Sequence, residues 1–144
     1  MIKYAHHISV DDYNSLRLGA GWGAVEAAQA RTGIDNSFYL IAAVAEDRTI
    51  GLARVVSDSG YYMLIVDVIV HPDFQGQGIG RTMIEQAMAH IHASLRPGQK
   101  VMVNLMAAKD KEPFYEQFGF ISRPNDKMGA GMMRYIKSDE PIEK

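Results

Sequence analysis

Residues 66–83 read VDVIVHPDFQGQGIGRTM, and this stretch decides how the rest of the chain is interpreted. Its first part is a run of β-branched residues, which is typical of a central strand covered on both faces. Pro72 ends that strand because proline has no N–H to donate. Glycines follow at positions 76, 78 and 80, and a helix-type apolar pattern comes after them. Free N–H groups and the positive end of the helix dipole converge there, so the stretch predicts an anion site.

The spacing of these glycines narrows the choice of ligand. A dinucleotide fingerprint requires glycine at position 81, where Arg81 stands, and the P-loop pattern is absent. A redox enzyme that holds a dinucleotide on this loop is therefore disfavoured. Residues 75–80, QGQGIG, resemble instead the Q/R-x-x-G-x-G/A acetyl-CoA signature of the GNAT superfamily of N-acetyltransferases.

The resemblance extends to both sides of the glycine loop and covers residues 51–120. Residues 70–72, VHP, resemble the family's Val-x-Pro element, and residues 114–120, FYEQFGF, resemble its F-Y-E-K-x-G-F segment. The family resemblance implies acetyl-CoA as the acetyl donor. It also implies a twisted mixed sheet that is splayed open beside its central strand, where the pantetheine arm of the cofactor enters.

The resemblance further implies which residues contact the cofactor. They belong to the central strand, to the glycine loop and to the downstream segment: Val68, Ile69, Val70, Gln75, Gly76, Gln77, Gly78, Ile79, Gly80, Arg81, Lys109 and Phe114.

The composition of the chain limits the number of domains and the kinds of partner that are expected. The 144 residues are 47% hydrophobic and 22% charged, which predicts one globular domain spanning residues 1–144, with a polar tail from about residue 137. A net charge of −2 gives no reason to expect a nucleic-acid partner. No apolar run reaches membrane-spanning length and no signal sequence is recognised, so we expect no membrane partner and a cytoplasmic location. No histidine pair has metal-ligand spacing, so no metal is expected.

The order of the predicted elements indicates an α/β fold, or α+β in some schemes. Strands are predicted at residues 2–8, 38–45, 49–56, 61–70, 101–106, 120–123 and 132–136. Helices are predicted near residues 11–18, 24–31, 78–95 and 112–117. Hairpins followed by a strand–helix–strand crossover predict a mixed, mostly antiparallel twisted sheet flanked by helices.

Two side chains are the candidates for the chemistry. Tyr115 occupies the position of the family's acid tyrosine, and a phenol protonated at neutral pH can give its proton to a leaving thiolate. The other interpretation is a tyrosine that only packs. Asp67 is the candidate that holds or relays a proton, or it only hydrogen-bonds its neighbours. Val66 replaces a glutamate of sugar-phosphate acetyltransferases of the family, so a chain of ordered waters is a further route for the proton.

Acceptor binding is assigned to four side chains. Trp22, Tyr61 and Tyr62 are candidates for the wall of an acceptor pocket, although aromatic residues are more often core. Arg54 lies among apolar neighbours and needs a partner if buried; an acidic group on the acceptor is one such partner. The acceptor is a small-molecule or protein amine, and the Met-rich residues 128–133 are a candidate contact of a homodimer.

Two functions follow from these residues. The first is an N-acetyltransferase that moves the acetyl group from acetyl-CoA to a primary amine by direct attack in a ternary complex. The chain has no cysteine, so no enzyme thiol can carry the acetyl group. The alternative is a sensor or interaction module that binds CoA or acetyl-CoA with little or no turnover.

Overall fold

The structure is a computed structural model that describes residues 1–142, and its largest feature is a five-stranded sheet in the order β1-β2-β3-β4-β5. The strands are β1 (Ile2–Ala5), β2 (Tyr39–Ala45), β3 (Arg48–Ser57), β4 (Tyr62–Val70) and β5 (Met102–Leu105). The helices are α1 (Val10–Gly19), α2 (Ala27–Asp35), α3 (Ile79–Ser94) and α4 (Glu112–Glu116), and a 3₁₀ turn occupies Pro72–Phe74.

Strand pairing confirms the predicted mixed, mostly antiparallel sheet. The pairs β1–β2, β2–β3 and β3–β4 are antiparallel. The pair β4–β5 is parallel, and α3 forms the crossover between these two strands. The α/β class predicted from the order of elements is therefore correct.

The two faces of the sheet are covered by different helices, because side chains alternate along each strand. Leu40 and Ala42 of β2 face α1 and α2, where they pack with residues such as Leu16. Ile41 and Ala43 face the other side, where they pack with Ile79 and Met83 of α3. The run of buried residues in β2 follows from this two-sided cover.

α3 packs closely on β3 because Gly51 carries no side chain. A Cβ atom at Gly51 would lie 3.2 Å from Cβ of Ala43 and 3.3 Å from Cε of Met83. Gly51 also pairs with Val70, the last residue of β4. This contact fixes the first turns of α3 beside the end of β4.

The helices differ from the predictions at one place. The sequence predicts the second helix at residues 24–31 with an end at Thr32-Gly33, whereas α2 extends to Asp35. Glu26 explains the later start, because its carboxylate accepts hydrogen bonds from the N–H groups of Ala28 and Gln29 and caps the helix. Side-chain hydrogen bonds from Thr32, Asn36 and Ser37 to the carbonyls four residues earlier support its last turn.

The chain divides into two compact units, residues 1–105 and the residues from Met106 onward. The sheet belongs to the first unit and α4 to the second. The prediction of one domain over residues 1–144 stays a prediction.

The prediction of two last strands, at residues 120–123 and 132–136, is wrong for the structure described. Neither segment has strand geometry, and the described part of the second unit contains α4 as its regular element. Strand propensity is not sufficient by itself, since a strand exists only when its backbone pairs with a neighbour. The predicted polar tail is described as far as residue 142, and residues 143 and 144 lie outside the described residues.

Candidate active site

The sheet is open along one side of β4. β4 pairs with β5 only through residues 62–65, opposite Met102 to Leu105. Residues 66–70 of β4 remain paired with β3 on the other side, and this pairing reaches Val70. The last five residues of β4 therefore present a backbone edge to which β5 contributes no hydrogen bond.

The register shows which backbone group faces the open side. His71 donates its N–H to the carbonyl of Ile50 at 2.7 Å, so residue 71 points toward β3. Successive residues of a strand point their N–H groups to opposite sides, and Val70 therefore points toward the open side. Gln75 confirms this direction, because its side-chain amide donates to the Val70 carbonyl at 3.0 Å. The N–H of Val70 is therefore directed to the open side of β4, and that of Ile69 toward β3.

The glycine loop follows directly. His71 caps the 3₁₀ turn by accepting a hydrogen bond from the N–H of Asp73. Gly76 and Gly78 have left-handed backbone conformations, with φ of +80° and +79°, and a Cβ atom at either would meet nothing within 4 Å. Gly78 is the N-cap of α3 and offers no side chain to the first N–H groups of the helix. N–H groups at the start of a helix without a side-chain cap are suited to bind an anion.

The predicted cofactor residues of the first unit thus form one continuous strip. Val68, Ile69 and Val70 supply the open strand end, residues 75–78 supply the loop, and Ile79 to Arg81 begin α3. Two side chains of the strip are engaged within the protein. Ile79 is buried in the core, and Arg81 forms an exposed ion pair with Glu85.

Asp67 lies in a β-bulge in the middle of β4 and has a left-handed backbone, with φ of +53°. Its carboxylate is buried and accepts three hydrogen bonds. Tyr13 donates its hydroxyl at 2.6 Å, Arg17 donates at 2.9 Å and Arg54 donates at 2.9 Å. We call Asp67, Tyr13, Arg17 and Arg54 the Asp67 cluster. Of the two roles left open for Asp67, the hydrogen-bonding one is present in the structure.

Tyr13 and Arg17 were not recognised from the sequence. They lie one helical turn apart on α1, which places them on one face of the helix, and this spacing was an available signal. Burial raises the pKa of the Tyr13 hydroxyl, and its hydrogen bond to Asp67 raises the pKa further. Arg54 has the partner that its burial requires, and that partner is Asp67.

The four predicted acceptor residues separate into two places. The Trp22 ring lies 5.5 Å from the Arg17 guanidinium, and Arg17 also binds the carbonyl of Gly23 in the same loop. Trp22 therefore adjoins the Asp67 cluster, to which Arg54 belongs. Tyr61 and Tyr62 are exposed and stand at the first residues of β4, at the opposite end from the glycine loop. The structure does not bring these two tyrosines together with Trp22 and Arg54.

Three predicted residues belong to the second unit. Lys109 is exposed in the turn before α4, whereas Phe114 and Tyr115 lie within α4. The Tyr115 ring is buried between aromatic neighbours, with Phe114 at 5.0 Å and Phe120 at 6.2 Å between ring centroids. Burial raises the pKa of the Tyr115 hydroxyl, because it disfavours the phenolate. Tyr115 is therefore protonated at neutral pH and has a proton to donate.

A separate cavity of about 510 Å³ lies at the first residues of β2. Three histidines and Tyr39 line it, but two of these imidazoles are already engaged: His6 bonds the carbonyl of Leu40, and His90 stacks on Tyr39. None of the predicted site residues lines this cavity. Within residues 1–142, no group of three or more histidine or carboxylate side chains is arranged to hold a metal ion.

Known proteins are similar to this chain in both sequence and fold. The family model of the acetyltransferase (GNAT) domain matches residues 11–135. An uncharacterized N-acetyltransferase ycf52 from the alga Gracilaria tenuistipitata is 32% identical over 132 residues, which cover 89% of this chain and 70% of the relative. The ycf52 protein of Pyropia yezoensis is 31% identical over 127 residues, covering 85% and 71%.

Among solved structures, a probable acetyltransferase from methicillin-resistant Staphylococcus aureus superposes with a TM-score of 0.83. It is 29% identical and is covered completely by 94% of this chain. The open strand edge, the glycine loop and these matches define an acyltransferase of the N-acetyltransferase class. The chain belongs to the GNAT acetyltransferase family.

Proposed function

We propose that this protein transfers the acetyl group of acetyl-CoA to a primary amine by direct attack in a ternary complex. One observation carries the proposal. The open edge of β4 leads without interruption into the glycine loop and the start of α3, so backbone donors for a thioester and for a pyrophosphate lie along one strip. The proposal is supported by the family membership, because enzymes of this family take their acetyl group from acetyl-CoA.

The strip offers backbone N–H donors at both of its ends, for two different parts of the cofactor. At the strand end, the N–H of Val70 is directed to the open side and would stabilise negative charge on the thioester oxygen. At the loop end, Gly76, Gly78 and the first turn of α3 would bind the pyrophosphate through backbone N–H groups. Gln75 joins the two ends, because its amide holds the Val70 carbonyl.

The transfer step forms a bond between the amine nitrogen and the acetyl carbon and breaks the bond between that carbon and sulfur. The nitrogen loses a proton, and the departing thiolate gains one. We assign the second proton to the Tyr115 hydroxyl, whose raised pKa keeps it protonated until the thiolate leaves. The acetyl group goes directly to the amine, because the chain has no cysteine to carry it.

The base that accepts the first proton is water in this proposal. Val66 has no carboxylate to offer, and both oxygens of Asp67 are occupied by donors from Tyr13, Arg17 and Arg54. Asp67 is instead proposed to hold the bulge of β4 in place. Ordered waters along the open edge would carry the amine proton to solvent.

A CoA-binding sensor without turnover is the second candidate function. It is favoured by the same two observations, namely Val66 at the position of a glutamate and an Asp67 carboxylate that is fully engaged. The two functions share the cofactor strip and differ only in chemistry. Release of free thiol in the presence of an amine separates them.

The decisive experiment incubates the protein with acetyl-CoA and a panel of small amines, amino sugars, amino acids and lysine peptides, and follows thiol release. An enzyme releases thiol only when an acceptor amine is present, and initial rates against both substrates fit a ternary-complex scheme. Ping-pong kinetics would contradict direct attack. Binding of acetyl-CoA without thiol release from any amine would support the sensor.

The cofactor strip is tested by Gly78→Asn with Gly98→Asn as its matched control. Both glycines have a left-handed backbone, with φ of +79° and +84°, and both have open space at the Cβ position. Asparagine tolerates this conformation, so neither variant should unfold. We expect acetyl-CoA affinity by calorimetry to fall at least about tenfold in Gly78→Asn, which corresponds to about 1.4 kcal/mol. If Gly78→Asn and Gly98→Asn bind acetyl-CoA with equal affinity, the glycine loop is not part of the cofactor site.

A homodimer is the proposed assembly, and the second unit supplies its support. Five large apolar residues in residues 121–136 are exposed to 61–86%: Ile121, Met132, Met133, Tyr135 and Ile136. Large apolar side chains that are exposed within one segment favour an interaction surface. Light scattering would show a dimer that Ile136→Asp dissociates and that Leu18→Asp, at an exposed position on α1, leaves intact. A monomeric wild-type protein would contradict this assembly.

The acceptor is proposed to be a small-molecule or protein amine, and the cytoplasmic location stays a prediction. None of the described helices is long and apolar enough to cross a membrane.

A further inference from the structure

The Asp67 cluster holds more positive than negative charge. Two guanidinium groups, Arg17 and Arg54, contact one carboxylate at 2.9 Å each, so the cluster carries a net charge of +1. The three side chains are only 20%, 11% and 8% exposed, respectively for Arg17, Arg54 and Asp67. Charge that is largely removed from water is costly unless a counter-charge balances it.

The two arginines differ in how much of their hydrogen-bonding capacity is used. Arg54 donates through Nε to Asp67 and through Nη1 to the Gly33 carbonyl and the Ser37 hydroxyl, so three of its N–H groups are used. Arg17 donates through Nε to Gly23 and through one Nη1 hydrogen to Asp67. A guanidinium has five N–H donors. Within residues 1–142, the Nη2 group of Arg17 has no hydrogen-bond partner, and Arg17 is the more exposed of the two.

The surroundings of Arg17 are shaped like a binding site. The Cζ atom of its guanidinium lies 5.5 Å from the centroid of the Trp22 ring and 5.8 Å from that of the Tyr13 ring. Trp22 belongs to the loop of residues 20–26, which Arg17 ties to β4 through Gly23 and Asp67. A planar guanidinium with its orientation fixed in this way is suited to bind carboxylate or phosphate oxygens.

The position of the cluster along β4 sets the size of the ligand. Asp67 precedes Val70 by three residues of β4, and the bulge at Asp67 keeps their separation below the roughly 10 Å of a regular strand. Val70 is the residue at which the thioester carbonyl is proposed to lie. An acceptor whose amine reaches this carbonyl would therefore carry its anionic group at up to roughly 10 Å from the amine to meet Arg17.

We propose that Arg17 binds an anionic group of the acceptor, so that the substrates are amines that also carry a carboxylate or a phosphate at that distance. Arg17 acts here as a specificity-determining residue, and its guanidinium lies 5.5 Å from the centroid of the Trp22 ring. This inference rests on the proposed function for the position of the amine, but the anion site itself does not require turnover.

Trp22 provides a direct measurement, because it is the single tryptophan of the chain. Its fluorescence is titrated with 8-aminooctanoate and with 8-aminooctanamide, which differ only in the negative charge. A second matched pair, 7-aminoheptyl phosphate and 7-aminoheptanol, distinguishes phosphate from carboxylate. Each titration is repeated on Arg17→Gln, on Arg17→Lys and on the control Arg31→Gln, which removes an exposed arginine that pairs only with Asp35.

We expect at least one anionic ligand to cause a saturable change in Trp22 fluorescence. Its dissociation constant should be at least tenfold lower than that of its neutral counterpart. Arg17→Gln should abolish the difference, Arg17→Lys should restore part of it, and Arg31→Gln should leave it unchanged. Equal affinity for charged and neutral ligands in the wild-type protein would overturn the inference. The same holds if a folded Arg17→Gln variant, checked by circular dichroism, retains the preference.

The result for the anion site can be distinguished from the result for the proposed acetyltransferase activity. Thiol release with both members of a pair at equal efficiency would keep the acetyltransferase and refute the anion site. Charge-selective quenching without thiol release would keep the anion site and refute turnover. If the Arg17 variants do not fold, the two matched pairs on the wild-type protein decide the question.

Discussion

Tyr13 and Tyr115 are both buried phenols with a raised pKa, but their surroundings differ in kind. Tyr13 donates its hydroxyl to the Asp67 carboxylate at 2.6 Å and lies between two guanidinium groups. Tyr115 lies among aromatic rings, and desolvation is the cause of its pKa shift. A hydroxyl already bound to a carboxylate contributes to stability, whereas one that is merely desolvated keeps a proton available for transfer.

The largest expected effect is that of Tyr115→Phe on turnover. Removing the hydroxyl removes the proposed general acid and keeps the ring packing, so kcat should fall by about 10²–10⁴-fold while the KM for acetyl-CoA changes little. The melting temperature should stay close to that of the wild type. A variant that retains most of its turnover on a true acceptor would refute the catalytic role and leave Tyr115 as a packing residue.

Asp67→Ala should have the largest effect on stability. Without the carboxylate, Arg17 and Arg54 face one another with no counter-charge, and breaking a buried ion pair in this way costs about 3 kcal/mol or more. Urea denaturation measures the loss. Asp73→Ala is the control, because its side chain is 78% exposed, and it should change the free energy of unfolding by less than about 0.5 kcal/mol. A similarly small change in Asp67→Ala would show that the cluster does not hold the bulge.

Tyr13→Phe should lower stability and leave turnover nearly unchanged, whereas Tyr115→Phe should lower turnover and leave stability nearly unchanged. The loss of a hydrogen bond to a charged group is expected to lower the free energy of unfolding by about 1.5 kcal/mol. Turnover should remain within about a factor of three, because the hydroxyl donates no proton in the reaction. Tyr39→Phe, a half-buried tyrosine that stacks on His90, is the matched control for the substitution itself. If Tyr13→Phe lowers kcat more than Tyr115→Phe does, the two roles are exchanged.

The smallest effect is a loss of stability at alkaline pH. Burial raises the pKa of both tyrosines in the folded state, so the unfolded chain releases its phenolic protons first, from about pH 10. The folded state then binds more protons than the unfolded state, and the free energy of unfolding falls as pH rises above that value. Each Tyr→Phe variant should make this fall shallower in urea titrations between about pH 8 and pH 11. A slope unchanged in both variants would contradict the raised pKa values.

The glycine loop was predictable from the sequence because it is built from the backbone of consecutive residues. Gly76 and Gly78 adopt left-handed conformations that glycine accommodates best. The glycines in the sequence therefore indicate where the backbone takes this conformation. The same holds for α3, whose apolar periodicity predicted both ends to within one residue. Its position on the sheet also follows from sequence-adjacent elements, since β4, the loop and α3 are consecutive.

The Asp67 cluster was not predictable because side chains from distant parts of the chain form it. Tyr13 and Arg17 lie 54 and 50 positions before Asp67, and nothing in a single sequence records that they meet. The prediction of the last two strands was wrong for a related reason. Residues 132–136, MMRYI, have strand propensity, but pairing depends on a neighbour that the local sequence does not specify.

The left-handed turn of the backbone at Asp67 also bears on solubility. Residues 66–70, VDVIV, form a mostly apolar strand segment that β5 does not pair, and such an edge can template pairing with other chains. The bulge bends this edge, and the charged residue interrupts the apolar run. Aggregation through such an edge requires a flat and regular ladder, which the backbone at Asp67 does not provide. The bulge at Asp67 is therefore expected to protect this edge of the sheet against amyloid-like association.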